Sequence, residues 1–367
     1  MAIDLYHYSP LSLDKSSSYD RKAWGSIYNL IGLNVSLVDR TGIIKMPYRT
    51  AVVPGMEIPL PGTALSYKDC ASNRVKELIS LQDKTGLPLK LFYSGGIDST
   101  CMLVSFITEL GFNELRNRAT VYISQESIDE NPNFYYDHLR GKINIASSET
   151  FNRSLNNKSI VVGGEFNDQL FGSDLIRGIL LKGIDTHKPY SPDDIIRIFE
   201  FNGDHSRMQH STAKKWFELL KNSADTVLPG RVVSVWDFFW WYNFSCKWQN
   251  VYFRMLAFTS RDVRLTLSKD LLDISYQQFY ATDDFQRWSI YAKDRSYSSA
   301  WNDYKREAKE LIFDYNKDQD YLDRKLKCGS LFNLFRGREF ARCVTSDFKF
   351  HESLSSEDFY DPTNSFT

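Results

Sequence analysis

Leu91-Phe92-Tyr93-Ser94-Gly95-Gly96-Ile97-Asp98-Ser99-Thr100 is the stretch from which the fold can be read. The run from Leu89 to Tyr93 is apolar except for Lys90, and Pro88 precedes it where a strand tolerates proline, so it predicts a buried strand. Gly95 and Gly96 then turn the chain, and Met102, Leu103, Phe106, Ile107 and Leu110 recur at helical spacing up to Gly111, which predicts a helix closed by that glycine. A strand feeding a glycine turn that opens a helix is suited to an anion: the backbone N–H groups can approach an oxyanion, and the helix N-terminus adds positive potential. Ser94, Ser99 and Thr100 add hydroxyls to the same cradle. The Gly-Lys-Ser/Thr ending of a Walker loop is absent, and Asp98 stands in the loop instead. A carboxylate facing phosphates is electrostatically reasonable when a cation such as Mg²⁺ lies between them. The plainer alternative is a strand-to-helix turn with no ligand.

Composition narrows the class. The chain has 367 residues, 42% of them hydrophobic, enough for one large or two ordinary cores. A net charge of −1 gives no basic surface for nucleic acid, which makes a nucleic-acid partner unexpected. No apolar run approaches the roughly 18 residues of a membrane span, and Met1-Ala2-Ile3-Asp4-Leu5 lacks the layout of a signal peptide. Cys70, Cys101, Cys246, Cys328 and Cys343 are widely spaced, which argues against a zinc cluster or disulfide framework and for a reduced, cytoplasmic protein. Cys101 reads as core rather than nucleophile. His7, His138, His187, His205, His210 and His351 form no ligand spacing.

Taken in order, residues 1–65 read as a small β-rich region, with a hairpin turn at Asp39-Arg40-Thr41-Gly42 between Asn34–Val38 and Ile43–Met46. Residues 66–345 form the main domain, with a core at 88–190 and a helical part at 191–345. Ser66 is the expected cap of a helix that Gly86 stops. Ala119–Ser124 and Ser159–Val162 predict a second and third buried strand. The alternation gives an α/β fold, a parallel sheet with helices on both faces and ligands at the carboxyl ends of the strands. Trp236, Trp240, Phe244 and Trp248 share a helix face, but Phe239, Trp241 and Tyr242 do not, so this helix is apolar nearly all round. Such a helix is buried, in the core or in the contact of a homo-oligomer, in preference to base stacking. Further helices are expected over roughly 270–280, 283–293 and 300–314. Residues 346–367, rich in Ser, Asp and Glu, read as a flexible acidic tail.

Ser-Gly-Gly-x-Asp-Ser resembles the PP-loop of the ATP pyrophosphatase superfamily, which implies a sheet of the HUP-like type and a loop that holds the β,γ-phosphates of ATP. Gly163-Gly164-Glu165-Phe166-Asn167-Asp168-Gln169-Leu170-Phe171-Gly172 is similar to the second motif of the synthetase domain of asparagine synthetases and β-lactam synthetases. Gly164, Glu165, Asp168, Leu170, Phe171 and Gly172 match. Gly163 replaces a family serine, Phe166 a glycine and Gln169 an acid. A weaker likeness joins Gln278–Asp283 to the family's turn, and Tyr304-Lys305-Arg306-Glu307-Ala308-Lys309 to its lysine segment.

The resemblance implies an ATP-dependent, AMP-forming ligase that adenylates a carboxylate, aspartate-like by family default, and passes the acyl group to ammonia or another amine. It places ATP on Ser94, Gly95, Gly96, Asp98 and Ser99, lets the nucleotide approach Gly164, and frames adenine with Leu91 and Tyr122. Asp98 and Asp168 become the Mg²⁺ carboxylates, Lys305 (or Lys309) the cation at the α-phosphate, and Glu165 the group that meets the amine, or else a helix-capping acid. Family members that hydrolyse glutamine carry a cysteine directly after Met1, where this chain has Ala2. The amine is then expected from free ammonia, a separate glutaminase or the substrate. Two alternatives stand beside this reading: a PP-loop enzyme that modifies a nucleoside or tRNA, and a nucleotide-binding relative that has lost catalysis.

Overall fold

The computed structural model describes residues 3–10, 13, 18–31, 35–58, 62–148, 158–172, 176, 178–180, 182–201, 208–257, 268–292, 301–325, 343–350, 353–364 and 366. Its strands are β1 (Leu5–Tyr8), β2 (Leu89–Phe92), β3 (Ala119–Ile123), β4 (Ile145–Ser147), β5 (Ile160–Gly163), β6 (Tyr276–Gln278) and β7 (Cys343–Thr345). The first α-helices are α1 (Tyr19–Asn29), α2 (Tyr67–Thr85), α3 (Ile97–Arg118), α4 (Gln125–Glu130), α5 (Asn167–Phe171) and α6 (Pro192–Phe201). After them come α7 (His210–Val227), α8 (Val235–Cys246), α9 (Trp248–Ala257), α10 (Asp283–Tyr291), α11 (Arg306–Asn316) and α12 (Gln319–Arg324). Two compact units share the chain: a sheet unit of residues 59–167 and 258–339, and an aromatic unit of residues 1–58, 168–257 and 340–367. The division differs from the one read in the sequence, because residues 1–65 do not stand alone and the helical part is split between the units.

In the sheet unit the strand order is β4-β3-β2-β5-β6, and every pairing is parallel. The chain steps outward from β2 to β3 and β4, then returns so that β5 lies on the other side of β2. That reversal is the topological switch point of a doubly wound sheet, where the loops at the carboxyl ends diverge and leave a crevice. Ser66 starts α2 by accepting a hydrogen bond from the Asp69 N–H, and Gly86, at φ 67°, ends it, as its residue type predicts. Gly111 does not end α3: it breaks the helix at φ 70°, ψ 167°, after which the helix resumes to Arg118 and runs directly into β3. The buried face of α3 carries Met102, Leu103, Phe106 and Ile107, and the helix packs against α2 and α11.

Two strands of this sheet lie outside the sequence reading. β4 is only Ile-Ala-Ser, at one edge, and β6 is Tyr-Gln-Gln, at the other. The helix expected over roughly 270–280 is instead a π-turn at Leu271–Ser275 followed by β6. Parallel pairing of Val161 with Tyr276, Val162 with Gln277 and Gly163 with Gln278 overrides the local helical pattern.

In the aromatic unit β1 and β7 pair antiparallel. Residues 1–65 are not β-rich: β1 and α1 are their regular elements among the described residues. The turn at Asp39–Gly42 exists, but Asp39 makes it by accepting hydrogen bonds from Thr41 N–H (3.0 Å), Thr41 Oγ1 (2.6 Å) and Ile44 N–H (2.7 Å), without flanking strands. All twelve residues of α8 are buried, which settles Trp236–Phe244 as core. Trp24 of α1 meets Trp216 edge-on at 6.1 Å and Phe366 at 4.7 Å. Phe366 lies in the segment expected as a flexible tail; Tyr360, from the same segment, donates to Asp20 at 2.7 Å, so the described end of the chain is packed. Among the described residues no helix is long and apolar enough to cross a membrane.

Candidate active site at the switch point

The loops that carry the two sequence motifs leave the carboxyl ends of β2 and β5, which are neighbours in the sheet. After Tyr93 the first loop is braced by its own hydroxyls. Ser94 N–H donates to Ser99 Oγ at 3.0 Å, the two hydroxyls lie 3.0 Å apart, and Ser99 Oγ donates to the Gly96 carbonyl at 3.2 Å. Ser94 and Ser99 therefore shape the loop as well as facing it. Gly95, at φ 78°, has no room for a side chain: a Cβ would lie 2.3 Å from the Ser127 carbonyl of α4. Gly96 is the N-cap of α3, and no side chain caps the helix, so its first turn presents backbone N–H groups at the positive end of the helix.

Asp98, in that first turn, is the centre of the arrangement. Lys305 Nζ lies 2.6 Å from Oδ1 and 2.5 Å from Oδ2. Asn167 Nδ2 donates to Oδ1 at 2.8 Å, and Tyr280 OH donates to the Asp98 main-chain carbonyl at 2.7 Å. The Asp98 side chain is 23% exposed and the Lys305 side chain 1%. Lys305 sits at the N-cap of α11 with φ 62°, ψ 41°, a left-handed conformation that costs a residue with a Cβ about 1–2 kcal/mol. Lys309, the fallback, is elsewhere: its ammonium donates to the Asn302 carbonyl, and burial pushes its pKa down to about 8.

From the other motif, Gly164 lies against the first loop rather than leaving open space. A Cβ there would sit 3.2 Å from both Cα and N of Ser99. The next residue's N–H, that of Glu165, donates to Gln278 Oε1 at 3.3 Å. Phe166 is buried, 1% exposed, at φ 80°. Phe166 thus holds a left-handed backbone conformation that favours glycine. Asn167 closes the gap to the first motif, with its Oδ1 accepting from Tyr67 OH at 2.8 Å.

In the parallel register Phe92 pairs with Tyr122 and Leu91 with Val121. Side chains alternate along a strand, so those of Leu91 and Tyr122 project from opposite faces of the sheet. Tyr122 instead stacks on Phe92 at 5.2 Å. Asp168 belongs to the aromatic unit, where its carbonyl accepts from Asn243 Nδ2 at 3.3 Å and from the Gly172 N–H at 2.9 Å. The Asp98 oxygens meet Lys305 and Asn167. Among the described residues no group of three or more His, Cys, Asp or Glu side chains is placed to hold a metal ion. Cys101 is buried, with its thiol pushed up to about 12 by burial, which suits core and not a nucleophile. Cys328, His205 and His351 lie outside the described residues.

Asn167, Tyr67 and Tyr280 were missed in the sequence. Asn167 stood inside the second motif as an unassigned position, and Tyr280 inside the weak turn likeness. The signal for both was adjacency to matched residues. No protein-family model matches the chain, and no curated protein matches it.

Proposed function

We propose that this chain is an ATP-dependent amide-forming ligase of the asparagine synthetase type, built on a PP-loop sheet. The reading rests above all on the Asp98–Lys305 pair at the switch point: a lysine from a distant segment is delivered to the aspartate of the glycine loop, beside an uncapped helix N-terminus. The nucleotide phosphates would lie along Gly95–Gly96 and the first turn of α3, whose N–H groups need no reorganisation to receive charge. A substrate carboxylate oxygen attacks the α-phosphorus, the bond to the bridging oxygen breaks, and pyrophosphate leaves. Lys305 exchanges its carboxylate partner for the α-phosphate. An amine then attacks the acyl carbon, AMP leaves, and Glu165 takes the proton the amine loses. Where magnesium takes part it would arrive with the nucleotide, and Asp98, released as Lys305 moves to the α-phosphate, would be a carboxylate able to hold it.

The test is a pyrophosphate-release screen over amino acids with ammonium present. Equal AMP and pyrophosphate, dependent on one acid and lost in Asp98→Ala and Lys305→Ala, is the expected result; ADP and phosphate would overturn it. A second reading, a nucleotide-binding relative without turnover, is favoured by Phe166 and by the buried Gln169 in place of an acid. Tight ATP binding with no pyrophosphate from any acid would select it.

A further inference from the structure

Four side chains form an unbroken polar line in the sheet unit: Tyr67 OH to Asn167 Oδ1 at 2.8 Å, Asn167 Nδ2 to Asp98 Oδ1 at 2.8 Å, and Asp98 to Lys305 Nζ at 2.5 and 2.6 Å. Their polarity admits one assignment. The carboxylate can only accept, so the amide must turn its NH₂ toward Asp98, and its oxygen is left to receive the Tyr67 hydroxyl proton. Tyr67 is itself fixed on α2 by rings: Trp288 at 4.8 Å and Phe285 at 5.3 Å, both edge-on. Asn167 is buried, and so is Tyr67. A hydrogen bond from a buried amide to one carboxylate oxygen sets the rotation of that carboxylate, and with it the point where a bidentate lysine finds both oxygens.

We infer that Asn167, oriented by Tyr67, is a positioning residue that holds Asp98 in the rotation required to seat Lys305, and thereby sets how readily Lys305 leaves for a ligand. Its relevance to catalysis rests on the ligase reading; the positioning itself does not.

Both parts can be tested on the full chain. Modification of Lys305 by trinitrobenzenesulfonate, followed by peptide mass spectrometry, reports how often the ammonium is free. Lys309 lies on the same helix, is fully buried and donates to the Asn302 carbonyl, so it reports general loosening. Asn167→Ala is expected to raise Lys305 modification at least about tenfold over wild type, the scale of one hydrogen bond to a charged group, with Lys309 unchanged. Tyr67→Phe removes the hydroxyl that donates to Asn167, and is expected to give a smaller rise of the same sign. If Asn167→Ala does not fold, Asn167→Ser and Tyr67→Phe carry the comparison. Unchanged Lys305 modification in the folded variants, or an equal rise at Lys309, overturns the inference. Should the Lys305 effect appear while wild-type protein releases no pyrophosphate from any acid, the positioning stands and the ligase reading falls.

Discussion

Lys305 Nζ and the Asp98 carboxylate meet at 2.5 and 2.6 Å although 207 positions of sequence separate them. A salt bridge at the surface contributes little, but this lysine is almost wholly enclosed, so removing its partner leaves an uncompensated buried charge. Asp98→Asn and Lys305→Met are each expected to lower stability by about 2–3 kcal/mol, under the 3–5 kcal/mol of a fully buried pair because Asp98 is partly solvated. The double variant should lose less than the sum. Urea unfolding of the four proteins closes the cycle; full additivity would contradict a coupled pair.

Two glycines share a backbone conformation but not a neighbourhood. Gly86 ends α2 at φ 67° with open space around it, whereas Gly95 at φ 78° backs onto the Ser127 carbonyl. Gly86→Ala should therefore cost only the left-handed penalty of about 1 kcal/mol. Gly95→Ala adds a steric clash and should cost about 3 kcal/mol or more, with loss of nucleotide binding. Equal denaturation midpoints for the two variants would contradict the close packing of α4 on the loop.

Phe166→Gly sets two effects against each other. Relief of the φ 80° backbone returns about 1 kcal/mol, but deleting a buried aromatic ring costs about 3–5 kcal/mol. Cavity formation wins, and thermal unfolding should show a net loss of about 2–4 kcal/mol. A more stable glycine variant would mean that the ring is not packed as described.

His7 is buried beside Ser36, with Nδ1 3.1 Å from Oγ, and burial pushes its pKa down from 6.5 to about 4. The folded protein resists a proton that the unfolded chain accepts readily. Stability from this group is intact above pH 6.5, falls as pH drops toward 4, and levels off below that, for a total of at most about 3 kcal/mol. His7→Gln should flatten this part of the acid limb. Parallel urea titrations at pH 7 and pH 4.5 measure it, and an unchanged difference between the two pH values would refute the assignment.

What could be read from the residues follows from what each signal depends on. Ser66, Gly86 and the Ser94–Gly96 turn act through local geometry, and the structure has them where the sequence says. The all-apolar helix from Trp236 could only be buried, and it is. The edges of the sheet were hidden because β4 and β6 are three residues each and owe their conformation to a neighbouring strand. The resemblance sets Leu91 and Tyr122 around one adenine, but the faces their side chains take depend on register, which no short motif encodes. Lys305 could be named from its segment; that it lies on Asp98 required the fold. Asn167 carried no signal beyond its place inside the second motif, since an amide bridging two motifs is defined only by what stands on either side.

Neither unit is one continuous piece of chain: the backbone passes between them at 58/59, 167/168, 257/258 and 339/340. Residues 168–257 interrupt the sheet unit between β5 and β6, and the sheet unit's own segments interrupt the other. A nascent chain that has reached Asn167 owns the glycine loop, Asp98 and its amide partner but not Lys305, which is synthesised only after the whole intervening segment. The charge on Asp98 is thus uncompensated by this lysine through most of synthesis, and no single cleavage or truncation can yield the complete site in isolation.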